Sequence, residues 1–115
     1  MKYCFYLSSC STCKRIMSEF DLSDFELQDI KAKPLTTNQL ELMHKLSGSY
    51  ESLFSRRSRK YAELKLAEKT LTEADYKRLI LTEYTFLKRP VFIIGQQIFI
   101  GSDKRTITEL AKVLN

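Results

Sequence analysis

The sequence predicts an α/β fold with a mixed four-stranded sheet, in which further helices separate a β-α-β unit from a β-β-α unit. Two observations support this fold class. Short apolar runs typical of buried strands lie near the N-terminus and after residue 90, and apolar residues recur at helical spacing between and after them. The chain of 115 residues is long enough for one packed core. We therefore expect a single domain over residues 1–115, with a helical insertion at about 36–86.

The β-α-β unit occupies the first 30 residues. Residues 2–7 form a β-rich apolar run, which predicts a central strand. Apolar residues then recur at helical spacing from Cys13 to Phe20, so a helix follows after a tight turn. Residues 24–30 alternate polar and apolar side chains, which is typical of a second strand. A strand–helix–strand unit of this length implies two parallel strands.

Helical patterns fill the middle of the chain. Thr36 and Gln39 have the spacing of a capping box and open a helix that ends at Gly48. Residues 50–68 are helix-prone but irregular, because a basic run interrupts them. Residues 72–75 start another helix. We expect the inner side of that helix to carry Tyr76, Leu79, Ile80 and Tyr84 or Phe86.

The β-β-α unit closes the chain. Pro90 precedes the apolar run 91–94, which predicts a buried strand, and Gly95 begins a turn into a second strand at 98–100. A helix from about residue 104 to residue 114 follows. A β-α-β unit joined to a β-β-α unit is the order of the thioredoxin fold, here with helices inserted between the halves.

Composition narrows the class of protein. No stretch of about 18 apolar residues is present that could span a membrane. The apolar N-terminal run is short and lacks a cleavage site, so we interpret it as a strand and expect a cytoplasmic monomer without a membrane partner. A net charge of +5 suits anionic partners, although solubility alone would also explain it. Direct DNA binding is not expected, since no helix-turn-helix or aromatic and basic patch is evident.

The segment Cys10-Ser11-Thr12-Cys13 is the candidate reactive centre. Three cysteines do not make a disulfide framework, whereas a close pair after a strand is typical of redox chemistry. A cysteine at a helix N-terminus meets unpaired N–H groups and the positive end of the helix dipole, which lowers the thiol pKa from its ordinary value toward roughly 7 or below. Lys14 and Arg15 add positive charge. We expect Cys10 to be the attacking sulfur and Cys13 the resolving thiol, which together form a redox-active disulfide.

Two alternatives for the cysteine pair stay open: an inert pair and half of a zinc site. A zinc site needs two further ligands, and the remaining Cys4 and His44 lack the spacing of a zinc finger. We expect Cys4 to be a small buried residue in its strand and His44 a surface residue. No metal and no tightly bound cofactor is expected.

Pro90 and two groups of arginines complete the candidate site. A proline at the start of a core strand is either an ordinary trans proline or holds a cis bond, and we expect a cis Arg89–Pro90 bond. The basic run 56–60 is either a solvated face or supplies an arginine to the dithiol. An arginine beside the dithiol, together with Arg89, would lower the thiolate pKa and bind an anionic group of the substrate.

These motifs resemble the arsenate reductase (ArsC)/Spx family over essentially the whole chain. Residues 6–14 are similar to the family's cysteine segment, 54–58 to its central Thr-Arg segment, 87–91 to its Arg-Arg-Pro segment and 98–101 to the end of its last hairpin. The resemblance implies that Cys10 is the nucleophile and Cys13 its dithiol partner. The residues that it implies for substrate binding or thiolate stabilisation are Thr12, Arg57, Arg89 and Pro90.

The resemblance also implies a function. It indicates a thiol-dependent reductase, similar to glutaredoxin-coupled arsenate reductases or to disulfide reductases, acting on a small anionic substrate or a protein disulfide. Electrons would come from glutathione with glutaredoxin or from thioredoxin. Glutathione-coupled arsenate reductases have an arginine where this chain has Gly101 and commonly no cysteine where it has Cys13. The Spx branch has the second cysteine and the hairpin glycine, as this chain does. The alternative is therefore a redox-sensing transcriptional regulator that binds RNA polymerase.

Overall fold

A computed structural model describes all 115 residues and contains one mixed sheet and five α-helices. This architecture confirms the predicted α/β fold class with its four-stranded sheet. The strands are β1 (Lys2–Tyr6), β2 (Glu26–Asp29), β3 (Val91–Ile94) and β4 (Gln97–Ile100). The helices are α1 (Ser11–Met17), α2 (Thr37–Ser47), α3 (Arg59–Glu63), α4 (Glu73–Thr82) and α5 (Lys104–Leu114).

The sheet has the strand order β2-β1-β3-β4, so β1 is a central strand, as predicted. β1 pairs with β2 in parallel and with β3 in antiparallel orientation, and β3 and β4 form the predicted hairpin. Cys4 lies opposite Leu27 on one side and Phe92 on the other. Gly95, with φ of 60°, lies in the hairpin turn, where a left-handed backbone favours glycine.

The chain forms two compact units, Met1–Pro34 with Arg89–Asn115, and Leu35–Lys88. The first unit contains the sheet, α1 and α5. The second contains α2, α3, α4 and the residues of the predicted insertion. Whether the chain acts as a single domain stays a prediction.

The core of the first unit lies between one face of the sheet and two helices. Cys4 and Phe92 pack there with Ile16 of α1 and Leu110 of α5, and all four are buried. Phe25, just before β2, meets Phe92 edge to face at 6.0 Å between ring centroids. Because β1 is anchored in this core, the position at which it ends, and therefore the start of α1, is well fixed.

The second unit is organised by helix caps and an aromatic cluster. Thr36 and Gln39 form the predicted capping box of α2, which ends at Gly48 with φ of 91°. A second capping box opens α4. Phe54 stacks on Phe86 at 5.0 Å between ring centroids and lies 4.9 Å from the ring of Tyr76.

Several element boundaries differ from the predicted ones. α1 begins at Ser11 instead of Cys13 and ends at Met17, although Phe20 still packs on the core. Tyr84 and Phe86 lie in a separate 3-10 helix after α4. The irregular stretch 50–68 contains α3 between two short 3-10 helices, Glu51–Leu53 and Leu66–Glu68. None of the α-helices exceeds 11 residues, which is shorter than a membrane-spanning helix needs.

Candidate functional site

Cys10 lies where β1 passes into α1. It is the residue before the first helical turn, with an extended backbone, and its side chain is half-buried. A backbone hydrogen bond from the Cys10 N–H to the Leu7 carbonyl, 2.9 Å, closes the turn between strand and helix. Because the first N–H groups of a helix have no partner within it, this position favours a negatively charged sulfur.

The two thiols of the pair differ in environment. Partial burial disfavours the Cys10 thiolate, but hydrogen bonds from the backbone and thiol of Cys13, together with Arg89, hold the pKa of Cys10 below its ordinary value of 9.0. Cys13 is fully buried, and this burial, with the nearby Cys10 thiolate, raises its pKa to about 11. At neutral pH the pair therefore consists of a sulfur that ionises readily and a protonated partner.

Arg89 and Pro90 lie in the same unit as the cysteine pair. The Arg89 guanidinium acts on Cys10 through its charge and through a hydrogen bond, and its Nε is fully buried. The Arg89–Pro90 peptide bond is cis, as predicted. The Pro90 carbonyl accepts a hydrogen bond from the Gly101 N–H at 2.9 Å, and Gly101 has φ of 89°, a left-handed conformation that favours glycine.

Cys4 is the third thiol and is fully buried in the core, as predicted. Burial, with a smaller effect from Cys13, raises its pKa to about 12. His44 stacks on Tyr50 at 4.2 Å between ring centroids, in the other unit, and its side chain is 40% exposed. The structure groups no three His, Cys, Asp or Glu side chains in an arrangement suited to a metal ion.

The other predicted site residues are Thr12 and Arg57. Thr12 lies in the first turn of α1, half-buried between the two cysteines in sequence. Arg57 belongs to the second unit, where its side chain is exposed and its N–H donates to Ser55 Oγ at 3.3 Å. Its neighbour Arg56 is bound within that unit, by an ion pair of 3.0 Å with Glu51. The basic run therefore contains three exposed arginines, of which Arg56 is held in an ion pair.

Asp29, the last residue of β2, lies near the cysteine turn and belongs to none of the predicted site motifs. Its Oδ1 accepts a hydrogen bond from the Ser8 N–H at 3.3 Å and another from the Lys31 N–H at 3.2 Å. An aspartate at the end of a strand was the available signal, since aspartate favours turns and caps backbone N–H groups. Which turn this aspartate caps is not evident from the sequence, because Ser8 and Asp29 are 21 residues apart.

Comparisons with known proteins agree with this fold. A model of the ArsC family matches residues 5–110. The YffB (PA3664) protein has a similar structure, with a TM-score of 0.81, 22% identity and 100% of each chain covered. SACOL0876 from Staphylococcus aureus COL is 26% identical, with a TM-score of 0.74 and 95% of this chain and 97% of that chain covered.

An arsenate reductase from Vibrio cholerae is also similar in structure. Its TM-score is 0.77 at 13% identity, with 98% of this chain and 97% of that chain covered. No match was found among curated proteins. Because the family model covers nearly the whole sequence, the chain belongs to the ArsC family.

Proposed function

We propose that the protein is a thiol-dependent reductase in which Cys10 is the nucleophile and Cys13 the resolving thiol. The observation that carries this proposal is the asymmetry of the thiols. Cys10 is half-buried and its pKa is lowered, whereas Cys13 and Cys4 are buried and their pKa values are raised. Nucleophilic attack needs a thiolate that a substrate can reach, and Cys10 has both properties.

The proposed reaction has two steps. The Cys10 thiolate attacks one sulfur of a substrate disulfide, a Cys10–substrate disulfide forms, and the other substrate sulfur leaves as a thiolate that takes up a proton. Cys13 then loses its proton and attacks the Cys10 sulfur, which releases the second substrate thiol and leaves a Cys10–Cys13 disulfide. The substrate gains two electrons and the protein loses two.

The proposed substrate class is a disulfide or a glutathione adduct with an anionic group near the reacting sulfur. Arg89 supports this choice, because its guanidinium interacts with Cys10 and can also bind a carboxylate. We propose that Thr12 and Pro90, which belong to the same unit as Cys10, contact the substrate as well. Gly101 brings no cation to the last hairpin, which makes arsenate the less favoured substrate.

A reductant that supplies two electrons, either one dithiol or two molecules of a monothiol, must restore the cysteine pair after each turnover. We propose glutathione with glutaredoxin, or thioredoxin, as this reductant, and the cytoplasm as the place of the reaction, since thiols are kept reduced there. A bound cofactor has no part in the proposed chemistry, because the electrons come from thiols.

A coupled NADPH oxidation assay tests the proposal. It is run with a glutathione/glutaredoxin system and with a thioredoxin system, on a glutathione-mixed disulfide and on arsenate. We expect turnover of the disulfide by the wild type and loss of at least about 100-fold in Cys10→Ser, since no other thiol is both reachable and easily ionised. Cys13→Ser is expected to accumulate the Cys10–substrate disulfide, visible by mass spectrometry.

Cys4→Ala is the matched control for these variants, because it removes a thiol of the same unit that has no part in the proposed reaction. It should retain turnover. Equal rates for wild type and Cys10→Ser would refute the reductase proposal. Turnover with arsenate but not with the disulfide would show that the substrate is an oxyanion and not a disulfide.

A second candidate function is a redox-sensing regulator that binds RNA polymerase. The observation that favours it is the hydrogen bonding between Cys10 and Cys13, which brings both sulfurs together without a substrate. The exposed Arg57 and Arg59 could serve an acidic partner surface. Polymerase pull-down with the reduced and the oxidised protein tests this function; capture that depends on redox state, without turnover in the assay above, would favour it.

A further inference from the structure

The turn between β1 and α1, which ends at Cys10, is exposed to solvent. Ser8 and Ser9, between β1 and Cys10, are both exposed. Leu7 is buried beneath them, its carbonyl accepts the Cys10 N–H, and a hydrogen bond from its backbone reaches Cys13. The position of Cys10 relative to Cys13 therefore depends on how firmly this turn is held.

Asp29 ties this turn to the neighbouring strand. It is the last residue of β2, in register with Tyr6, the last residue of β1. Its Oδ1 accepts the Ser8 N–H from one side and the Lys31 N–H from the other, at 3.3 and 3.2 Å. A single carboxylate oxygen thus joins the ends of two parallel strands at the start of the turn.

The carboxylate keeps its hydrogen bonds over the pH range in which Cys10 ionises. A side-chain hydrogen bond from Ser8, and the Lys31 and Ser8 N–H groups, hold the pKa of Asp29 below its ordinary value of 3.8. Asp29 is therefore ionised throughout the range near neutrality, and a hydrogen bond to a charged acceptor is stronger than one between neutral groups.

We infer that Asp29 is a positioning residue, which holds the turn between β1 and α1 through its hydrogen bond to the Ser8 N–H and so keeps Cys10 in reach of the groups that stabilise its thiolate. The inference rests on the proposed function in taking Cys10 as the nucleophile. It extends that function by assigning part of the sulfur's reactivity to a residue on another strand. Loss of the anchor displaces Cys10 from Cys13 and Arg89, whose hydrogen bonds require their present geometry.

Alkylation of Cys10 by iodoacetamide, followed against pH with mass spectrometry of the labelled peptide, tests this inference. For Asp29→Ala we expect a raised apparent pKa of Cys10 and alkylation at pH 7 slower by about tenfold, since only the thiolate reacts and its fraction falls as the pKa rises. Asp29→Asn retains an Oδ1 acceptor and should stay within about twofold of the wild type. Asp29→Glu retains the charge but moves the oxygen, so it should resemble Asp29→Ala.

Asp21→Ala is the matched control. Asp21 is an exposed aspartate of the same unit, it also accepts a backbone N–H, from Ser23 at 3.0 Å, and its pKa is likewise lowered, chiefly by hydrogen bonds from Ser23. It should leave the alkylation profile of Cys10 unchanged. If Asp29→Ala does not fold, Asp29→Glu and Asp29→Asn carry the same comparison.

Three results would overturn the inference: a wild-type profile in both Asp29→Ala and Asp29→Glu, equal shifts in Asp29→Asn and Asp29→Ala, or an equal shift in Asp21→Ala. Alkylation uses neither substrate nor reductant, so its outcome is independent of the NADPH assay. Absence of turnover in the wild type would count against the proposed function alone.

Discussion

Arg89 acts on both sulfur atoms of the candidate site. Its positive charge favours ionisation of Cys10 and of Cys13, yet only Cys10 ends below its ordinary pKa, because Cys13 is fully buried and faces the Cys10 thiolate. Desolvation and charge thus work against each other at each sulfur, and burial decides which wins. Arg89 consequently favours the thiolate at both sulfurs, and the difference between them comes from the burial of Cys13 and from its contact with Cys10.

Replacing Arg89 should therefore change the titration of Cys10. In Arg89→Ala the desolvation of Cys10 remains while the favourable charge is lost, so we expect its pKa to rise and its alkylation at pH 7 to slow. Arg89→Lys keeps the charge but lacks the planar guanidinium, so the alkylation rate of its Cys10 should lie between those of the wild type and Arg89→Ala. The rate of iodoacetamide labelling against pH measures this effect. Arg105→Ala, an exposed arginine on α5, is the control, and an unchanged curve for Arg89→Ala would contradict the assignment.

Local patterns were sufficient for some residues of the site and insufficient for others. Cys10, Cys13 and Pro90 could be found from short motifs beside apolar runs, because those motifs fix their own surroundings. Arg56 and Arg57 could not be told apart, since what distinguishes them is the pairing of Arg56 with Glu51 and with the Tyr76 hydroxyl, a residue 20 positions away. Adjacent identical residues carry no sequence information about such a pairing.

At the scale of elements, caps decide where the helices begin. In the capping box of α2, the Gln39 N–H donates to Thr36 Oγ1 at 3.1 Å and the Thr36 N–H donates to Gln39 Oε1 at 3.0 Å. These bonds satisfy two N–H groups at the start of the helix. α1 has no comparable hydroxyl cap, since its N-cap residue is Cys10.

Thr36→Ala should lower the free energy of unfolding by about 1 kcal/mol, the usual cost of losing a helix N-cap. Thr37→Ala is the matched control: the neighbouring threonine is exposed, lies inside the first turn and makes no cap, so its replacement should change little. Urea unfolding of both variants, followed by the far-ultraviolet circular dichroism of the helices, measures the two losses. Equal losses in the two would show that the capping box contributes nothing.

Element types could be predicted far better than element boundaries. The spacing of apolar residues predicted a helix after β1. It could not predict the backbone hydrogen bond between Cys10 and Leu7, after which α1 begins at Ser11. In the stretch 50–68, Lys65 adopts a left-handed backbone with φ of 54° and separates α3 from the next 3-10 helix. Lysine is not a residue that predicts such a conformation, so no pattern in the sequence indicated the break.

At the scale of the whole molecule, buried thiols make stability depend on pH in the alkaline range. Cys4 and Cys13 have pKa values of about 12 and about 11 in the folded protein, against an ordinary value of 9.0. Above pH 9 the unfolded chain loses these protons and the folded protein keeps them, so the folded state binds more protons than the unfolded state. Stability is therefore fully present below about pH 9 and falls as pH rises toward 11 and 12.

Cys4→Ala should flatten this decline. Between pH 8 and pH 10 we expect the wild type to lose about 1 kcal/mol more of its free energy of unfolding than Cys4→Ala does, since one buried thiol that stays protonated contributes on this order. Urea unfolding at the two pH values with a reductant present measures the difference. Parallel declines would mean that Cys4 ionises as easily in the folded protein as in the unfolded chain.

The topology of the sheet followed from the order of elements, whereas its tie at Asp29 did not. A strand–helix–strand unit and a hairpin leave few ways to arrange four strands, and β1 at the centre satisfies both connections. The hydrogen bond between Asp29 and Ser8 spans 21 residues and depends on the parallel register of β1 and β2. This hydrogen bond can be predicted only once the register of the two strands is known, and hydrophobic periodicity does not give that register.

β2 also has a consequence for how the protein behaves when it is concentrated. It is an outer strand of only four residues, and Leu27 in its middle is 50% exposed. An outer strand with an apolar side chain is a place where a second chain can add and aggregates can start. The flanking Glu26 and Asp29 oppose this, because two copies meeting there would bring like charges together. The carboxylate that anchors the cysteine turn thereby also helps to keep the molecules apart.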